Sequence, residues 1–245
     1  MREQPEQQAP PVQRLRVRYA KRGRMRFTSH RDFSRAFERA VFRARVPMAY
    51  SSGFNPHPRI SYAGASPTGA ASEAEYLELA LAQVVDPADI QAQLDEVMPD
   101  GLDIVDVVTS PGGALADVLT ASTWMIDIPI DPAVAESAVS TFLAAESVPV
   151  ERMTKRGLRE FDCRAAVLAL TAGPAPEGTP GTRLALTLRH VEPAVRPDDV
   201  MTGLRSVADL DLGSAAPLLT RLEQGLLDEE TGAIGDPLRA DVKRI

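Results

Sequence analysis

Hydrophobic residues first alternate, then recur every three or four positions, along the opening part of the chain. Leu15, Val17 and Tyr19 alternate with Arg16 and Arg18, the period-two pattern of a strand with one buried face. A turn is predicted at Lys21-Arg22-Gly23, after which Met25 and Phe27 alternate with Arg24 and Arg26 as a second extended run. Ser29 then caps a helix, with Asp32 three residues on as in a capping box. Phe33, Ala36, Phe37, Ala40, Val41 and Ala44 make its buried stripe, and it ends before Pro47. The stretch Ser51 to Tyr62 reads as a loop leading into a short extended run. Glu75 to Leu81 reads as a strand. Asp86-Pro87 opens a helix to about Met98, and Leu102 to Val108 reads as a strand. The order β-α-β-β-α-β predicts a ferredoxin-like unit.

Pro111-Gly112-Gly113 breaks the pattern, and a second unit follows. Trp124 to Ile130 reads as a strand, and Asp131-Pro132 opens a helix to about Ala145. Pro149 to Met153 and Phe161 to Thr171 read as a hairpin around Lys155-Arg156-Gly157. Arg183 to His190 is a further strand, and Pro197 starts another helix. The fold expected is α+β, two tandem ferredoxin-like units with antiparallel sheets. Their boundaries are 14–110 and 122–206, with a disordered tail at 1–13, a linker at 111–121 and a C-terminal extension at 207–245 that the pattern does not place.

Charge changes this picture more than composition does. The net charge is −7, yet residues 1–62 hold 14 basic against 4 acidic side chains, a net +10, and the remaining 13 basic and 30 acidic ones leave −17. That asymmetry predicts one basic face on an acidic body, which suits a nucleic-acid contact. A single cysteine, Cys163, excludes an internal disulfide and a four-cysteine metal or iron–sulfur site. The opening residues have no secretory signal and no run is long enough to span a membrane, so the cytoplasm is the expected location. No Walker loop, dinucleotide fingerprint or nucleophile elbow is present, and no cofactor is expected.

Several constellations carry candidate chemistry. Arg31, Arg35, Arg39 and Arg43 share one stripe of the first helix, about 6 Å apart along its axis, so they either track a phosphate backbone or form a solvated face. Arg16, Arg18, Arg24 and Arg26 are expected to line an open sheet face. Ser29-His30 and the segment Ser51 to Arg59 (SSGFNPHPR) are the most unusual pieces. Two prolines stiffen His57, and Ser29, Tyr50, Ser51, Phe54, Asn55 and His57 are read as a pocket, with Arg59 beside it. Glu75 is read as a structural or partner-binding carboxylate within that set. Lys155, Arg156, Arg159 and Arg164 form a second basic patch. His30 and His57 are the candidate general acid or base of a metal-independent RNA endonuclease.

The run Lys21-x-Gly23-x-x-Arg26-Phe27-x-Ser29-His30-x-Asp32, with Arg35, Arg39-Ala40, Pro47, Tyr50-Ser51, Gly53-Phe54-Asn55-Pro56-His57-Pro58 and Ser72-Glu73-x-Glu75-Tyr76, resembles a known family. This is the radical-SAM-associated domain of unknown function, found fused to, or encoded beside, cobalamin-binding radical-SAM proteins. The resemblance is densest over 21–76 and extends to Thr154–Arg164 and Arg221 to Gly225. Arg31 stands where the family has a bulky apolar residue. The first unit is also similar, at the level of fold, to ferredoxin-like RNA-processing endonucleases of CRISPR systems. The resemblance implies a radical-SAM partner and a role in RNA metabolism, without an activity of the chain's own. Lys21, Arg26 and Arg59 join the helix arginines as the phosphate contacts that this reading implies. A purely structural subunit of the radical-SAM protein is the third possibility.

Overall fold

The computed structural model describes residues 7–154, 157–178, 181–212 and 216–240. The chain divides into two compact units. One comprises the chain up to Leu119 together with the segment from Asp236, and the other is Thr120–Gly235.

The first unit runs β1 (Gln13–Lys21), α1 (His30–Arg43), β2 (Ile60–Ala63), β3 (Ala71–Leu81), α2 (Pro87–Val97) and β4 (Ile104–Thr109). Its strands lie in the order β4-β1-β3-β2, every neighbouring pair antiparallel, which is the ferredoxin-like arrangement. Leu15, Val17 and Tyr19 point to the side that α1 and α2 cover, where they meet Phe33, Phe37, Val41, Ile90 and Leu94 in one buried cluster. Tyr19 stacks on Phe33 at 4.2 Å between centroids, and Phe33 on Phe37 at 5.6 Å. Ser29 caps α1 by accepting the Asp32 amide proton at 3.2 Å, and Asp86 caps α2 by accepting from Ala88 N–H at 2.9 Å. Each cap satisfies an amide that the helix leaves bare.

The alternation at Arg24–Phe27 does not make a strand. Gly23 sits at φ +53° and Gly23–Phe27 form a 3-10 turn, closed by Met25 N–H to Arg22 O and Thr28 N–H to Met25 O, both 2.9 Å. Left-handed backbone at Gly23 turns the chain at once, so an extended run cannot begin there.

The second face of this sheet is not open either. Ala74, Tyr76, Leu115, Val118, Leu119 and Leu238 form a second cluster over it. Arg16, expected on an exposed face, is 0% exposed. Its guanidinium donates to the carbonyls of Pro237 (2.6 Å), Ala240 (2.8 Å) and Gly112 (2.7 Å). The polar half of the β1 alternation therefore faces a second core, and Arg16 ties the Gly112 turn and the C-terminal segment over the sheet.

The second unit runs β5 (Ala121–Ile128), α3 (Pro132–Ala144), β6 (Pro149–Thr154), β7 (Gly157–Asp162), β8 (Val167–Pro174), β9 (Thr182–Arg189), α4 (Pro197–Ala208), β10 (Leu218–Leu227) and β11 (Ile234–Gly235). Its sheet order β10-β5-β9-β8 is again all antiparallel. Three expectations change here. The segment Phe161 to Thr171 is not one strand, because it breaks at Cys163 and a 3-10 turn at Arg164–Ala166. The hairpin β6–β7 is thus an insertion between α3 and β8 with its own two-stranded pairing. Residues 218–227, in the region the pattern did not place, form β10 and supply the fourth strand.

Candidate nucleic-acid interface

Helix α1 has two faces with different jobs. Phe33, Phe37, Ala40 and Val41 are buried in the core. On the other side two i,i+4 rows run in parallel, Arg31-Arg35-Arg39-Arg43 and Ser34-Glu38-Phe42. All four arginines of the first row are exposed, and none has an ion-pair partner among the described residues. Across from the C-terminal half of the helix lies an extended segment. It is fixed by Ala49 N–H to Ala80 O at 2.8 Å and Arg59 N–H to Ala49 O at 2.9 Å, with bridges Met48–Leu81 and Tyr50–Pro58. Between helix and segment is a groove of about 600 Å³ lined by Arg35, Glu38, Arg39, Phe42, Arg43, Tyr50 and Pro58. A second groove of about 440 Å³ shares Phe42, Arg43 and Tyr50 and adds Arg45. Phe42 is 80% exposed and Tyr50 41%. Two aromatic rings therefore stand in water between arginines.

The proline-stiffened loop is pinned at its neck by Ser51. Its amide donates to His57 O at 2.9 Å, and its hydroxyl accepts the His57 amide proton at 3.0 Å. Phe54 is 68% exposed, and Asn55 and His57 are exposed beside it. His30, in contrast, packs edge-on against Tyr62 at 5.0 Å. Burial pushes the Tyr62 hydroxyl up to about 12. Among the described residues no hydrogen bond or ring contact joins His30 to His57.

Other predicted contacts are held inside the fold. Lys21 is 5% exposed and its ammonium donates to Pro67 O at 3.3 Å, and Glu75 is 2% exposed and accepts from Ser66 N–H at 3.1 Å. Both tie down the segment between β2 and β3. Arg26 is half-buried, with its guanidinium 4.5 Å above the Phe27 ring. Arg59 is also half-buried, and its backbone belongs to the ladder described above. In the second unit, Lys155 and Arg156 lie outside the described residues. Arg159 is exposed and meets Glu192 at 4.0 Å. Arg164 donates to Val167 O at 3.2 Å and Leu143 O at 3.3 Å, so it braces the chain between α3 and β8.

Two features were missed from the sequence. Phe42 sits on the polar side of α1, and its signal was an aromatic out of step with the apolar stripe. The other is a buried polar cluster in the second unit. Arg221 and Gln224 are 3% and 2% exposed and bonded at 2.9 Å, while Ser122 accepts from Trp124 Nε1–H at 2.9 Å and lies 3.0 Å from His190 Nε2. Arg221 and Gln224 lie in the Arg221 to Gly225 stretch of the resemblance, but with β10 unplaced nothing in the sequence marked them as buried or set them beside Ser122 and His190.

Residues 14–197 match a family described as an uncharacterized protein conserved in bacteria (DUF2344). The chain belongs to that family. The match takes in α1, both grooves, the proline-stiffened loop and the β6–β7 insertion, and it stops at the first residue of α4. No curated protein matches the chain. Among the described residues no helix is long and apolar enough to cross a membrane.

Proposed function

We propose that this member of the family is an RNA-binding accessory protein of a radical-SAM system acting on tRNA or rRNA, and that the outer face of α1 holds the RNA. One observation carries the RNA part: Arg35, Arg39 and Arg43, without ion-pair partners among the described residues, line a groove of about 600 Å³ with two exposed aromatic rings, and Arg31 extends their row along the helix. Cations at about 6 Å spacing suit successive phosphates, and rings in the adjoining groove offer stacking surfaces to unpaired bases. Single-stranded RNA fits this combination better than duplex, whose bases are already stacked. The sheet platform that ferredoxin-like RNA binders use is covered in the first unit, so recognition falls to the helix. The radical-SAM part rests on the motif resemblance over residues 21–76.

Binding of a labelled single-stranded RNA to the full chain, measured by fluorescence anisotropy between 50 and 200 mM salt, tests this. Four phosphate contacts give a log–log slope of about −3, at roughly −0.7 per contact. R35E/R39E weakens binding by more than ten-fold and flattens the slope by about half. A slope near zero, or wild-type affinity in the double variant, refutes the RNA reading.

A further inference from the structure

A carboxylate in a phosphate groove needs a reason. Glu38 lines the same groove as Arg35, Arg39 and Arg43, is exposed, and has no ion pair among the described residues. Against a phosphate it is repulsive. It lies in the row beside the arginines, one helical turn before Phe42 and facing the same groove as Tyr50. A strand whose phosphates follow the arginine row would turn its bases toward that second row.

We propose that the Glu38–Phe42–Tyr50 corner of the groove is a base-reading pocket selective for guanine in single-stranded RNA. This rests on the reading of α1 as an RNA-binding surface. An ionised carboxylate is an acceptor only, with two oxygens side by side. Guanine alone presents two adjacent donors, N1–H and N2–H₂, on its Watson–Crick edge. Adenine and cytosine each set one amino donor beside a ring-nitrogen acceptor, which a carboxylate opposes. Uracil has one N–H between two carbonyls. Phe42 and Tyr50 supply ring faces that take any base, so they give affinity, and Glu38 gives the choice. The volume, about 600 Å³, lies in the range of roughly 300–1,000 Å³ typical of small-ligand sites.

The experiment titrates the full chain with four labelled oligouridine decamers, one all uridine and three with a single central G, A or C. The G decamer is expected to bind about ten-fold tighter than the others, the lower end of what a bidentate contact discriminates. E38Q replaces one acceptor by a donor and removes the charge repelling the backbone. It is expected to bind all four decamers equally, and the uridine decamer at least as well as the wild type does. Equal affinity of the wild type for all four decamers overturns the guanine pocket while leaving RNA binding in place, as does a guanine preference that survives in E38Q. Failure of every decamer to bind overturns the RNA reading and this inference with it.

Discussion

At the scale of single residues, arginine does two opposite things in this chain. Arg35 and Arg39 stay in water with no ion-pair partner among the described residues, whereas Arg16 is fully buried and donates to three backbone carbonyls. Period-two alternation cannot separate the two, because it reports which residues share a face and not whether that face is wet. Cys163 is a second case in which burial decides chemistry. It is 0% exposed, and burial pushes its thiol up to about 12, with the Asp162 and Asp199 charges adding to the effect. The native thiol therefore stays protonated at pH 8 and does not react with a disulfide reagent until the second unit opens. An unfolded thiol ionises near pH 9 and the folded one does not, so the contribution is full below about pH 9 and is lost as pH rises toward 12. Complete labelling of native protein within seconds at pH 8 contradicts this placement.

At the scale of elements, the legible pieces were those with local punctuation. Asp86-Pro87 and Asp131-Pro132 mark helix starts because an Asx cap and a proline at the first turn are both local chemistry, and both helices begin where those pairs predict. β10 was illegible for a physical reason. A bulge between Arg221 and Glu223 breaks its period, Arg221 and Gln224 are buried, and Leu218 and Leu222 are each 38% exposed. Buried leucines at 219 and 227 are thus separated by buried polar residues and by leucines left partly in water. Helix α4 raises a related point. Gly203 in mid-helix should cost roughly 1 kcal/mol against alanine. Yet a methyl there would lie 2.8 Å from Cys163 Sγ, 2.9 Å from Val148 Cγ1 and 3.0 Å from Phe142 Cε2. Those neighbours are packed core, so the clash outweighs the helix gain. G203A is expected to destabilise the protein by about 1–3 kcal/mol in urea unfolding, the usual cost of overpacking. A variant more stable than the wild type would show that the α3–α4 contact yields easily.

At the scale of the whole molecule, the candidate site was half legible. The arginine row and the loop at 51–59 stand out in sequence because both are local. The rest depends on long-range closure: the burial of Lys21 and Glu75, and the covering of the first sheet by residues more than 200 positions away. That closure makes a last prediction. Cutting the chain after Gly235 removes two of the three carbonyls that hold Arg16 and takes Leu238 out of the second cluster. The guanidinium keeps Gly112 O and the Glu78 carboxylate 3.8 Å away, and the loss of the other two acceptors costs on the order of 1–3 kcal/mol. Amide exchange in β1 and β4 should then accelerate, while β8 and β9 in the second unit keep their protection. R16M distinguishes the cause. In the full chain it strands three carbonyls and should destabilise, whereas in the truncated chain it removes donors that have lost their acceptors and should cost less. A coupling of more than about 1 kcal/mol between the two changes makes Arg16 the clasp of the C-terminal segment. Strict additivity would leave apolar contact through Leu238 as what holds it.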